Sequence, residues 1–316
     1  MDTGYIDLDE ISHLGPRAKG GGVYDHRLWR ESYYFNFTDP DSRITMITTI
    51  GILPNRKLNT GLVVLVKNRR ILCIRPMLER KQVRFNDYAF SIKGLKYSVE
   101  GTDWRLVYNS EKLSFNILFR PLNMIYPYIT DASDTIFEPI GSQHYEQFGI
   151  FEGGLVHKGR SIDIGPALGH RDHSWGIRNW SPVDHYRLFC CAFSKELAFN
   201  LWQGSINGSK FLKGYVFDGD DNTPLARAGV RDVYGKDSRR PSKAVIDIRD
   251  AKGRKFKIDC RTLFSIRLPP RGSVMYESAG EMRCDGRTGY GVQEYLYHEP
   301  NSLYRLWVFL GLLRYL

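Results

Sequence analysis

Lys96-Tyr-Ser-Val-Glu-Gly-Thr-Asp-Trp-Arg-Leu-Val-Tyr108 sets two short β-prone runs on either side of a Gly101-Thr-Asp turn. Aromatic and β-branched residues favour a pleated, half-buried surface, and the turn residues punctuate it. The same style extends outward in both directions. Tyr88 to Ile92 precedes it and Lys112 to Arg120 follows it. The stretch predicts a meander of antiparallel strands, which suits a sandwich or an up-and-down barrel.

Toward the N-terminus, Glu31 to Thr38 and Arg43 to Leu53 read as strands joined by Asp39-Pro-Asp-Ser. Gly61 to Val66 and Ile71 to Ile74 flank Lys67-Asn-Arg-Arg70 as a hairpin. Residues 1–22 end in Lys19-Gly-Gly-Gly and read as a leader. After a less regular stretch, Asn123 to Asp134, the strand pattern resumes. Gln147 to His157 and Arg160 to Ile164 read as a hairpin, and eight further strands follow between His185 and Tyr297. Ser302 to Leu316 differs. Leu303, Leu306, Trp307, Leu310 and Leu313 recur at helical spacing. This segment is too short to span a bilayer, which needs about 20 apolar residues. It reads as a terminal helix packed on a barrel, or as an interfacial anchor or dimer contact. The expected fold is all-β: two antiparallel barrel or sandwich domains packed together, residues 23–140 and 141–300, and a short apolar C-terminal helix over 301–316.

The chain has 316 residues, and its hydrophobic fraction of 42% is enough for a buried core. Its formal net charge is +10. A basic balance invites an anionic partner, but the basic clusters Lys67 to Arg70 and Lys252 to Lys257 are short and lie in turns. No RNP, zinc-finger or helix-turn-helix pattern occurs, so nucleic acid is not expected. The five cysteines (Cys73, Cys190, Cys191, Cys260 and Cys284) are odd in number and form no CxxC. They indicate neither a disulfide framework nor a zinc–thiolate site. The N-terminus lacks the pattern of a signal peptide. The expectation is a cytoplasmic protein, peripheral to a membrane if the terminal helix is an anchor.

One stretch concentrates reactive side chains: Gly169-His-Arg-Asp-His-Ser-Trp-Gly-Ile-Arg178. As a strand it puts His170, Asp172 and Ser174 on one face, and Arg171, His173 and Trp175 on the other. Either face is too polar for a sealed apolar core. The stretch therefore lines a polar pocket, forms an internal ion-pair network, or bends at a bulge. A metal is not expected, because His170 and His173 would point apart. Glu146 and Glu294 each sit in an otherwise apolar or aromatic strand and need partners, for which Arg171 and Arg178 are candidates. Asp218-Gly-Asp-Asp221 matches the acid motif of class II terpene cyclases, but acidic residues are also expected at a hairpin tip.

Several landmarks resemble a bacterial family distantly related to carotenoid hydratases, tocopherol cyclase and lipocalin-like Diels–Alderases. They are Glu31-Ser-Tyr-Tyr-Phe, His144-Tyr-Glu-Gln147, the Arg171-Asp-His-Ser-Trp-Gly176 run and Asp285-Gly-Arg-Thr-Gly-Tyr-Gly-Val-Gln-Glu294. The resemblance implies a pair of lipocalin-like barrels with a hydrophobic cavity in or between them, and chemistry on an isoprenoid or polyene without metal or redox cofactor. Ser32 and Tyr33 depart from the Glu-Trp-Trp-Tyr form of these relatives. The expected function is a cofactor-independent cyclase or hydratase that protonates an alkene and captures the cation. A non-catalytic binder and a pericyclase are the alternatives. Asp172, His173, His170, Arg171, Glu294 and Glu146 are the candidate catalytic residues. Trp175, Tyr33, Tyr34, Trp202, Tyr215, Tyr276 and Arg178 are the candidates for the substrate lining, the aromatics through their affinity for cations.

Overall fold

A computed structural model describes residues 27–80, 89–129, 135–138, 140, 141, 143–235, 240–270 and 272–313. The expected leader, Tyr88, residues 130–134 of the irregular stretch and residues 314–316 of the terminal segment lie outside these.

The described chain is almost all antiparallel strand, in two barrel-like sheets with one terminal helix. The first sheet contains β1 (Trp29–Asp39), β2 (Ile44–Leu53), β3 (Leu58–Lys67), β4 (Arg70–Arg80), β5 (Ala89–Ile92), β6 (Leu95–Glu100), β7 (Asp103–Asn109), β8 (Leu113–Pro121), β9 (Tyr126–Pro127), β10 (Gln143–His157) and β11 (Arg160–Ile177). Its order is β4-β3-β2-β1-β11-β10-β8-β7-β6-β5, with β9 alongside β10. The sheet rolls up until its edges meet through side chains. A Cβ on Gly61 of β3 would lie 2.9 Å from Ile92 Cγ2 of β5 and 3.0 Å from Met77 Cε of β4. The tip between β3 and β4 is Asn68-Arg69, both at positive φ, as a tight hairpin turn requires.

The second sheet is a closed barrel of β12 (Val183–Ser194), β13 (Leu197–Ile206), β14 (Ser209–Phe217), β15 (Asn222–Tyr234), β16 (Pro241–Asp250), β17 (Lys255–Leu268), β18 (Ser273–Cys284) and β19 (Arg287–His298). Asp218 to Asp221 is the tip between β14 and β15, where Asp218 is paired with Lys252 and Arg254. The hairpin reading of that motif is the one the structure adopts.

The change of sheet falls between Ile177 and Val183, so the boundary expected near residue 140 is corrected. The hairpin β10–β11 is laid between β1 and β8 and completes the first sheet. The reactive stretch does not follow this hairpin, as the short Arg160 to Ile164 strand implies. It is the second half of β11, an 18-residue strand.

Each barrel has its own apolar interior. A third cluster, including Phe148, Leu188, Trp202 and Tyr215, and a fourth, including Ile47, Val64 and Ile266, join residues of both sheets. The outer faces of the two barrels therefore pack on each other. The helix α1 (Ser302–Leu313) lies against β17. It buries Val308, 3% exposed, and leaves Leu303, Leu306, Trp307, Phe309 and Leu310 exposed. No described helix is long and apolar enough to cross a membrane.

Candidate active site between the barrels

Strand alternation sorts the side chains of β11 and β1 into two sets. The odd-numbered residues Glu31, Tyr33, Arg171, His173 and Trp175 enter the interior of the first barrel. There Glu31 Oε1 accepts from Tyr33 Oη and from His173 Nε2, each at 2.9 Å. The Tyr145 hydroxyl lies 2.9 Å from His173 Nδ1. Arg171 donates from Nε to Gln147 Oε1 at 2.7 Å, and its guanidinium lies 5.3 Å from the ring centres of Trp104 and Tyr145. Every polar group in this set is buried. A buried charge needs such partners, and this network is sealed among aromatic rings. Arg171, His173, Trp175 and Tyr33 thus belong to the core of the first barrel.

The even-numbered set faces the other barrel. Arg30, Ser32, Tyr34, Asp172 and Ser174 line one wall of a cavity of about 310 Å³. His144 of β10 and Arg178, just beyond β11, complete that wall. The facing wall carries Tyr186, Leu188, Trp202, Met275, Glu277 and Glu294 of the second barrel. The size suits a small organic molecule. The cavity lies between the barrels, and the alternation explains why: it is the outward face of both sheets that is polar here.

Of the sequence candidates, Asp172, Glu294, Tyr34, Trp202 and Arg178 meet at this cavity. Tyr276 points into the second barrel, among Phe189, Val274 and Tyr295. Tyr215 is buried behind the cavity, its hydroxyl accepting from Asn123 Nδ2. Both are corrections to the expected lining. His170 and Glu146 sit just beneath the wall. His144 Nε2 lies 2.9 Å from Glu146 Oε1, and His170 Nε2 lies 2.9 Å from Glu146 Oε2. The second contact is off the line of a hydrogen bond, so both atoms lack a hydrogen-bond partner. The partners of Glu146 are therefore histidines and not the expected arginines. The reason is a bulge. Phe151 pairs with Ala167 and Gly153 with Ile164, so Glu152 faces two residues, Gly165 and Pro166. The shift places Asp172, rather than Arg171, opposite Glu146.

Asp172 is half-buried. Its carboxyl makes no hydrogen bond or ion pair among the described residues. Burial holds it well above the usual carboxylate range, and Glu146 and Glu294 push the same way, against His170 and Arg178. Glu277 is also held well above that range, by burial, by the charge of Glu294 and by a hydrogen bond with it. Glu277 and Glu294 are directly opposite each other across β18 and β19. Tyr34 Oη donates to Glu277 Oε1 at 2.8 Å, and Tyr186 Oη donates to Glu294 Oε1. Two carboxyls in contact in a desolvated place share a proton, because both cannot ionise cheaply. Burial alone would raise Glu146, but His170 and His144 bring it below its ordinary value.

Among the described residues, two groups of atoms could hold a metal ion: Glu146, His170 and Cys190, and His144, Glu146 and Asp172, each within 4.8 Å of one another. The first contains a thiol that burial pushes well up and whose sulfur already accepts from Asn200, a poor state for a thiolate ligand. His173, on the other face, joins neither group.

Glu277, Tyr186 and Arg30 are site residues that the sequence patterns do not single out, and His144 enters only as part of the His144-Tyr-Glu-Gln147 landmark. A signal for Glu277 exists. Counting back in equal steps from the Asp285-Gly286 turn pairs Glu277 with Glu294.

These features define a class: a two-barrel, all-β protein with a cavity between the barrels that carboxyls and arginines line together. The chain belongs to the family described as Domain of unknown function (DUF7064), whose model matches residues 23–299. No curated protein matches it in sequence. Three solved structures share its fold. A protein from Nitrosomonas europaea assigned as AttH has a TM-score of 0.63 at 13% identity, over 91% of this chain and 98% of that one. Kievitone hydratase from Nectria haematococca has 0.58 at 13%, over 92% and 97%. CghA with Sch210972 has 0.62 at 10%, over 87% and 90%.

Proposed function

We propose that this protein is a cofactor-independent hydratase or cyclase, acting on a hydrophobic substrate of terpenoid type held between its barrels. One observation carries the reading: an unpaired Asp172, its carboxyl held well above the usual range by burial, faces the Glu277–Glu294 pair across a single cavity. A carboxylic acid kept neutral by its site can deliver a proton near neutral pH. Asp172 transfers its proton to an alkene carbon. Electron density is lost at the neighbouring carbon, and an oxygen attacks there. In hydration that oxygen belongs to water; in cyclisation it belongs to a hydroxyl of the substrate. The attacking O–H loses its proton to Glu294, whose other tie is the Tyr186 hydroxyl. Exchange with solvent returns the proton to Asp172. The product is the adduct of alkene and O–H, and no electron is gained or lost.

The wall charges shape this step. Arg178 stands near Asp172, so positive charge on the substrate is unfavourable on that side. The cation develops toward Trp202, Tyr186 and Glu294, where a ring face contributes about 0.5–2 kcal/mol. The name of one structural neighbour, kievitone hydratase, agrees with the reading.

Deuterium labelling tests the reading while the substrate is still unidentified. The protein is incubated in heavy water with a mixture of isoprenoid-tailed small molecules, and products are read by mass spectrometry. One deuterium should appear on carbon with the wild type and none with Asp172→Asn. Equal incorporation by both proteins would remove Asp172 from the chemistry.

A further inference from the structure

The cavity holds a second feature that proton transfer does not use. Arg30 and Arg178 line the same wall. Burial lowers the proton affinity of both guanidiniums. Burial, then the charge of Arg178, brings Arg30 down to about 10. Neither guanidinium has an ion pair among the described residues, and the Nε atoms of both are buried without a hydrogen-bond partner. The Arg178 side chain donates to Ser174 Oγ. Asp172, whose charge acts on both guanidiniums, forms no ion pair with either, and its carboxyl is held well above the usual range. Two half-buried cations whose Nε donors are buried and open form an arrangement that an anion would complete.

The neighbouring strand makes room for this arrangement. Gly51 of β2 pairs with Ser32 beside Arg30. A Cβ on Gly51 would lie 2.6 Å from Arg30 Nη2 and 2.7 Å from its Nε. The guanidinium therefore lies over a residue that has no side chain.

We propose that Arg30 and Arg178 are an anion clamp, so that the ligand of this cavity is an amphiphilic acid: an apolar body carrying one carboxylate or a comparable delocalised oxyanion. The apolar body lies along Leu188, Trp202 and Met275, and the anion sits between the guanidiniums. This rests on the cavity being the ligand site, as proposed above, but not on Asp172 acting as an acid. Binding the anion also offsets the positive potential that would otherwise draw the proton off Asp172.

Calorimetric titration of the full chain with naphthoate and with its neutral amide, naphthamide, tests the clamp. Charge-assisted hydrogen bonds make the acid bind roughly tenfold or more tightly than the amide. Arg30→Gln should reduce that preference to within about threefold, and so should Gly51→Ala, which displaces the guanidinium while leaving its charge in place. The two variants separate loss of the clamp from loss of the fold, because the added methyl meets side chains and no backbone, the Arg30 guanidinium and the Thr60 hydroxyl. Failure of naphthoate to bind, no preference over the amide, or an unchanged preference in both variants overturns the clamp. Loss of deuterium incorporation in Asp172→Asn with no acid preference would leave the catalytic reading standing and the clamp fallen; an acid preference with full incorporation would do the reverse.

Discussion

Arg171 and Asp172 are consecutive on β11 and stand on opposite sides of the sheet. The Arg171 guanidinium is enclosed by Trp104, Phe119 and Tyr145 inside the first barrel. The Asp172 carboxyl opens onto the cavity between the barrels. The most polar run of the sequence thus serves two separate structures: a sealed network within one barrel and a reactive surface outside it.

Asp172→Asn should stabilise the protein at neutral pH. The folded carboxyl is held above its ordinary value of 3.8. The unfolded chain releases this proton as pH rises past that value, while the folded chain keeps it. Stability from this group is complete below that pH and is lost as pH rises toward the folded value. The amide removes the penalty. Thermal melts should show the variant melting higher than the wild type at pH 7 and alike at pH 3. A variant that melts lower at pH 7 would mark Asp172 as an architectural group, as expected of a non-catalytic binder.

His173→Ala should do the opposite, one residue away. It leaves the buried Glu31 carboxylate with only part of its hydrogen bonding. Removing one partner of a buried pair costs about 3–5 kcal/mol. Urea unfolding should show that loss near neutral pH, with the slope of the transition unchanged. A loss below about 1 kcal/mol would contradict the sealed network.

The Glu277–Glu294 pair should respond unequally to neutralisation. Burial and the charge of Glu294 hold the Glu277 carboxyl well above its ordinary range, so Glu277→Gln keeps a neutral hydrogen-bonding group beside Tyr34 and Glu294. Glu294→Gln removes the acceptor. General-base catalysis contributes typically about 10²–10⁴-fold, and Glu294→Gln should lose a rate factor in that range, with Glu277→Gln within about tenfold of the wild type. Turnover of a substrate found in the deuterium screen reads both. Equal losses would assign the shared proton differently.

Gly169→Ala tests how closely β1 and β11 approach. A Cβ there would meet Asn36 O, lie 2.7 Å from Phe151 Cε2 and 2.8 Å from Phe37 Cα. Backbone cannot give way as a flexible side-chain end can. The variant should be destabilised by about 1–3 kcal/mol or more, as overpacking generally is, and the measurement is again urea unfolding. A neutral substitution would contradict the β1–β11 register.

Much of this site is legible in the sequence. Period-two alternation alone separates His170, Asp172 and Ser174 from Arg171, His173 and Trp175, and the structure keeps that division. Alternation does not say which face of a barrel strand is the ligand face. The expected aromatic lining therefore mixes Tyr33, Trp175 and Tyr276, which point inward, with Tyr34 and Trp202, which point toward the other barrel. The glycine and proline at Gly165-Pro166 mark a bulge but not the register on either side of it, so nothing local shows that the strand neighbour of Glu146 is Asp172. The domain boundary is hidden for a related reason. The long β11 pairs with β1, more than a hundred residues before it, and such non-local pairing leaves no mark in the local pattern.

Infrared difference spectroscopy of the wild type against Asp172→Asn at pH 7 bears most directly on the acid in the cavity. A protonated carboxyl has a carbonyl stretch distinct from that of a carboxylate. The wild type should show a protonated-carboxyl band that the variant lacks, and the band should fade as pH is raised. If the variant instead loses carboxylate bands and the protonated-carboxyl region is unchanged, Asp172 is ionised at pH 7 and cannot be the proton donor.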